Sequence, residues 1–157
     1  MDQLYFNKNY PIITPNYTGV DISDKAINIA RTWEDDKTKF QSDDLMTFTP
    51  DRIYDCIIFN ESLYYFDNPL KLLSKYKPFL SKNGAMVISM WDYKVRNNKL
   101  WKSINSILDC TDGVHLKLDC GNSWYIRFYR KIISLYLLME SSIVDLYYSQ
   151  WELVILI

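Results

Sequence analysis

The sequence predicts an α/β fold built on a mostly parallel sheet, and three observations lead there. Short apolar runs at residues 17–22, 54–59 and 85–89 alternate with segments of helical periodicity, as strands joined by crossover helices require. The run Tyr54-Asp55-Cys56-Ile57-Ile58-Phe59 is nearly continuous in apolar character, the pattern of a central parallel strand covered on both faces. Further on the pattern changes to alternation, with Val114, Leu116, Leu118 and then Trp124, Ile126, Phe128 flanking a Cys120-Gly121-Asn122-Ser123 turn. That alternation predicts an antiparallel hairpin closing the sheet.

Taken in order, residues 1–16 are rich in Asn and Pro and read as an irregular lead-in. Residues 17–22 form the first predicted strand, and Ser23 caps a helix reaching about Trp33, with Asp24 favourably placed against the helix dipole. Residues 37–41 suggest a second strand, followed by the acidic turn Ser42-Asp43-Asp44. Asn68-Pro69 is a helix start, and Leu70, Leu73, Tyr76 and Leu80 recur at helical spacing. Pro78 should tighten the last turn, and Asn83-Gly84 should end the helix before the strand at 85–89. A helix is expected over 100–108. The apolar run 132–139 falls short of the roughly 20 residues that span a bilayer. Residues 132–157 therefore form an extension for which a docking helix, a peripheral membrane segment and a non-native tail all stay open.

Composition narrows the function. A length of 157 residues and 48% hydrophobic content fit one globular domain with a sizeable core. The formal net charge of -1 and the scattered Lys and Arg give no basic stripe, so nucleic acid is not indicated as a partner. Three cysteines without CxxC spacing, and no secretory apolar stretch near Met1, predict a reduced, cytoplasmic setting. His115 has no Cys or His at ligand spacing, so no metal site is expected.

One carboxylate stands out. Asp21 ends an apolar strand, the position at which open α/β folds hold the ribose hydroxyls of a nucleoside. Together with it, the blocks YTGVDISDKAINIA, FQSDDLMTF, YDCIIFNESLYYF and LSKNGAMVIS and the final hairpin resemble the class I S-adenosylmethionine-dependent methyltransferases over residues 17–131. The resemblance implies a Rossmann-like sheet with helices on both faces, S-adenosylmethionine as cofactor and a small-molecule N or O acceptor. By position it implies that Asp21 holds the ribose, with Ile22 beside it. Asp44, with Asp43 as rival, would stand near the adenine amino group, and Leu45 along the adenine edge. Asn60 and Glu61 would face the methionine part and the acceptor, with Leu63, Tyr64 and Tyr65 lining the acceptor pocket. Methyl transfer needs mainly alignment in a dry site. Where the acceptor must lose a proton, Glu61 or Tyr64 is the candidate base.

The chain departs from the resemblance at one place. The family begins with a strand and a glycine-rich turn well before the position of Asp21, whereas the first glycine here is Gly19. The first central strand is therefore expected to be missing. Either the chain is a fragment, or residues 1–6 substitute, or the flanking strands close against each other. A non-catalytic remnant or interaction domain that no longer binds the donor is the competing functional reading.

Overall fold

The computed structural model describes residues 16–92, 95–130 and 152–156. The strands are β1 (Asn16–Asp21), β2 (Thr38–Ser42), β3 (Tyr54–Asn60), β4 (Leu80–Trp91), β5 (Cys110–Lys117), β6 (Ser123–Arg130) and β7 (Glu152–Leu156). The helices are α1 (Asp24–Ala30), α2 (Pro69–Tyr76) and α3 (Val95–Asn105). The strands form one sheet in the order β2-β1-β7-β3-β4-β6-β5. The first five in that order are mutually parallel, while β6 and β5 run antiparallel at the far edge.

Local chemistry sets the helix starts. The Ser23 hydroxyl accepts from the Ala26 N–H at 3.2 Å, and the Asn68 side chain accepts from the Lys71 N–H at 3.0 Å. Connections between parallel strands are right-handed, so α1, which links β1 to β2 in one direction, lies on the opposite face from α2, which links β3 to β4 in the other. Leu72, Leu73 and Tyr76 of α2 and Trp101 and Ile104 of α3 pack with Ile57, Phe59, Met86, Ile88, Val20 and Leu156 in one core. Burying each large side chain of this kind contributes about 1.5–3 kcal/mol.

Two boundaries differ from expectation. The helix does not run to Asn83-Gly84: Pro78 lies in a tight turn, Lys77–Phe79, and β4 already begins at Leu80. Leu80 is buried because it pairs with Tyr54 as strand, not because it continues a helical stripe. The helix expected over 100–108 starts earlier, at Val95. It also ends earlier, at Asn105, and its buried face runs Asn97, Trp101, Ile104, with Leu108 buried just beyond its end. The polar Asn97 hid that start; its amide donates to the Trp91 carbonyl.

The largest finding concerns the interior position beside β1. Residues 1–15 lie outside the described residues, and β1 and β3 do not close against each other. The slot between them is filled by β7, parallel to both, with Gly19 opposite Ile155 and Ile58 opposite the same residue on the other side. Part of the stretch left open as an extension is thus the sheet's central strand. The Ser62 hydroxyl, itself buried, donates to the Leu156 carbonyl at 3.1 Å and ties the strand's end to the segment after β3. The rest of that stretch, 132–151 and 157, lies outside the described residues. Among the described residues no helix is long and apolar enough to cross a membrane.

Candidate active site at the carboxyl edge

The parallel strands end on one edge, which gathers Asp21, Ser42, Asn60, Trp91 and Leu156. Chain direction across the sheet reverses around β7, since β1 leads outward to β2 and β3 leads the other way to β4. Open α/β sheets bind ligands at this kind of switch point. Asp21 and Asn60 flank it two strand spacings apart, about 10 Å.

On the β1–β2 side the carboxylates are held by their own neighbours. Asp21 accepts from the Ser23 N–H at 2.8 Å, and its carbonyl accepts from the Asp43 N–H at 3.1 Å. Asp44 accepts from the Met46 N–H at 2.8 Å in a local turn, and Asp43 accepts from the Thr47 hydroxyl at 3.1 Å. Helix α2 fixes this loop from beneath. Lys75 donates to the carbonyls of Leu45, Met46 and Phe48, and the Tyr76 hydroxyl donates to that of Leu45 at 2.9 Å. Burial draws the Lys75 ammonium below its ordinary value, while Asp43 and Asp44 oppose that shift. Leu45 points into the core at 3% exposure, whereas Ile22, directly after Asp21, is 70% exposed. Gly19 is required here because a Cβ would sit 2.6 Å from the Phe40 ring on β2.

On the β3–β4 side the bonds are long-range. Glu61 follows β3 with φ of 53°, a left-handed backbone that costs a non-glycine residue about 1–3 kcal/mol. Its carboxylate is held by three donors or near-donors. Oε2 accepts from the Trp91 N–H at 2.9 Å and from the Tyr64 hydroxyl at 2.9 Å, and Oε1 lies 3.2 Å from the Ser89 hydroxyl. Ser89 Oγ is also 2.8 Å from Asn60 Oδ1. Burial first, and then the adjacent Glu61 carboxylate, push the Tyr64 hydroxyl well above its ordinary value. Tyr64 therefore serves as a proton-bearing donor to Glu61.

Of the residues expected to line an acceptor pocket, Leu63 is fully buried, while the Tyr64 and Tyr65 rings lie 4.6 Å apart, Tyr65 78% exposed. A cavity of about 410 Å³ opens elsewhere, floored by Asn60, Glu61 and Ser89 and walled by Leu116, Leu118, Trp124 and Ile126 of the β5–β6 hairpin. Sequence reasoning found Asn60 and Glu61 but missed Ser89 and this wall. The available signal was the hairpin alternation itself, whose apolar stripe leaves Val114, Leu116 and Leu118 about half exposed. Trp91 stacks obliquely on Trp124 at 5.1 Å between ring centres. His115 stacks on Tyr125 and lies 3.6 Å from Asp92.

A family model described as a methyltransferase domain matches residues 4–136. Among solved structures, the N-methyltransferase NodS from Bradyrhizobium japonicum WM9, in complex with S-adenosyl-L-homocysteine, superposes with a TM-score of 0.58 at 16% identity. That match covers 72% of this chain and 65% of NodS, so the chain spans slightly less than two thirds of that protein. The 1,6-didemethyltoxoflavin-N1-methyltransferase of Burkholderia thailandensis gives a TM-score of 0.61 at 14% identity, over 75% of this chain and 62% of that one. The [4+2]-cyclase SpnF gives 0.61 at 12% identity, over 76% and 67%. Identities this low establish a shared fold. No curated protein sequence matches the chain significantly.

Proposed function

The chain belongs to the methyltransferase-domain family, and from that premise we propose that it transfers a methyl group from S-adenosylmethionine to a small-molecule acceptor at the carboxyl edge. The observation that carries this reading is the pairing of Asp21 with Asn60 and Glu61 across the switch point, in a sheet whose order and direction accord with family membership.

The residues present suit such a donor. Asp21 uses one oxygen on Ser23, its one hydrogen-bond donor among the described residues, which leaves the other able to accept from a ribose hydroxyl. The exposed Ile22 offers apolar surface beside it. Asp21, Asp43, Asp44 and Glu61 make the edge acidic, and Asp24 fills the start of α1, where a phosphate would otherwise sit. An acidic edge disfavours phosphorylated nucleotides and suits a nucleoside that carries positive charge. Bound there, S-adenosylmethionine supplies a methyl group activated on a sulfonium. The protein contributes alignment, exclusion of water and, at Glu61, a proton acceptor.

The second reading is a remnant that does not bind the donor. Titration calorimetry separates the readings: S-adenosylmethionine should bind, and Asp21→Ala should weaken it. Absence of heat at millimolar donor would decide for the remnant. Conversion of the bound donor to S-adenosylhomocysteine in the presence of an acceptor then tests the reaction.

A further inference from the structure

The floor of the hairpin cavity is short of protons. Ser89 Oγ carries a single hydrogen yet stands 2.8 Å from Asn60 Oδ1 and 3.2 Å from Glu61 Oε1. Among the described residues, the other polar contact of that hydroxyl is as acceptor, from the Glu61 N–H at 3.3 Å. A hydroxyl donates one hydrogen bond, so two acceptor oxygens compete for it, and one is left open toward the cavity. Among the described residues, Glu61 is the only charged one lining the space. The remaining wall, Leu116, Leu118, Trp124 and Ile126, is apolar, and about 410 Å³ accommodates a small molecule.

We infer that this cavity recognises a compact apolar or aromatic amine in its ammonium form, which donates its N–H to the Asn60–Glu61–Ser89 floor and lays its hydrocarbon body on the hairpin wall. An amine answers both halves of the site: it brings the missing hydrogen-bond donor, and its charge is opposite to the lone carboxylate. An alcohol brings the donor without the charge, and a carboxylic acid repels Glu61. Glu61 also provides a place for one ammonium proton to go, which frees the nitrogen lone pair. That this amine is the methyl acceptor rests on the methyltransferase reading; the recognition itself does not.

The test is calorimetric and uses the whole chain at pH 7 with 2-phenylethylamine and its neutral counterpart 2-phenylethanol. The amine should bind roughly tenfold more tightly, the worth of one hydrogen bond to a charged group. Glu61→Gln should abolish that preference, and Leu116→Ala should weaken both ligands and keep their ratio. Ser89→Ala removes the internal donor and should keep or raise the amine preference, which guards against a Glu61 variant that does not fold. Equal affinity for amine and alcohol, or a preference that survives Glu61→Gln, overturns the inference. S-adenosylhomocysteine is titrated in parallel. If it binds while the amine preference is absent, the inference alone fails. If the preference is present while the homocysteine does not bind, the methyltransferase reading alone fails. If neither is seen, both fail.

Discussion

The two halves of the carboxyl edge are built differently. On the β1–β2 side, Asp21, Asp43 and Asp44 are held by partners two to four residues away along the chain. On the β3–β4 side, Glu61 is held by Tyr64 three residues on and, across the sheet, by Trp91 and Ser89, 30 and 28 residues away. The first half is a pair of local turns whose carboxylates keep oxygens available to a ligand. The second is a cross-strand clamp that carries a strained backbone at Glu61. Strain of that kind persists only where surrounding contacts over-determine it. Under the proposed function the halves divide the labour, the locally capped half receiving the donor and the rigid half setting the geometry for the acceptor.

The largest expected effect falls on the rigid half. Glu61→Ala removes the proposed proton acceptor and should lower kcat by about 10²–10⁴, the usual contribution of general acid–base catalysis. Steady-state kinetics across pH would check this. An unchanged kcat would mean that the clamp is only structural.

Thiol reactivity compares β3 with the hairpin. Burial pushes the Cys56 thiol on β3 up to about 11 from 9.0. Thiolate is the reactive form, so at pH 8 Cys56 should react roughly a hundredfold more slowly than a thiol at its ordinary value. Cys110 and Cys120 are exposed. A thiol-specific disulfide reagent should therefore consume two equivalents quickly and the third only slowly, and the slow phase should quicken as pH approaches 11.

Substitution at Asp21, on the locally capped half, should leave the fold alone. Asp21→Ala should weaken S-adenosylmethionine binding by about tenfold to a hundredfold, the range for hydrogen bonds to a charged group. The melting temperature should hardly move, because the carboxylate's one bond among the described residues lies in an exposed turn.

The smallest effect concerns the strand between the halves. Ser62→Ala leaves the Leu156 carbonyl without its buried donor and should cost about 1–3 kcal/mol. Urea unfolding would measure it. A cost near zero would show that β7 is held by its ladder alone.

The comparison also explains what was legible. Ser23 and Asn68 as caps, Pro69 at a helix start, the apolar run of β3 and the alternation of the hairpin were all readable, since each depends on spacing within a few residues. Asp21 and the acidic turn were readable for the same reason. Asn60 and Glu61 were found by position, yet their joining to Ser89 was not, because no local pattern specifies which residue of another strand stands opposite. The helical stripe that seemed to include Leu80 failed because apolar spacing of this kind also suits a strand start after a proline turn.

By itself, then, the sequence determined the order and type of the elements from β1 to β6 and placed its acids at strand ends, through side-chain periodicity and capping chemistry that act within a turn or two. Only the tertiary structure decided that Glu152–Leu156 fills the slot between β1 and β3, and that the hairpin wall faces Glu61. A five-residue strand such as β7 carries no mark of its neighbours. Its place follows from the two open ladders of backbone N–H and C=O groups that β1 and β3 would otherwise leave unpaired.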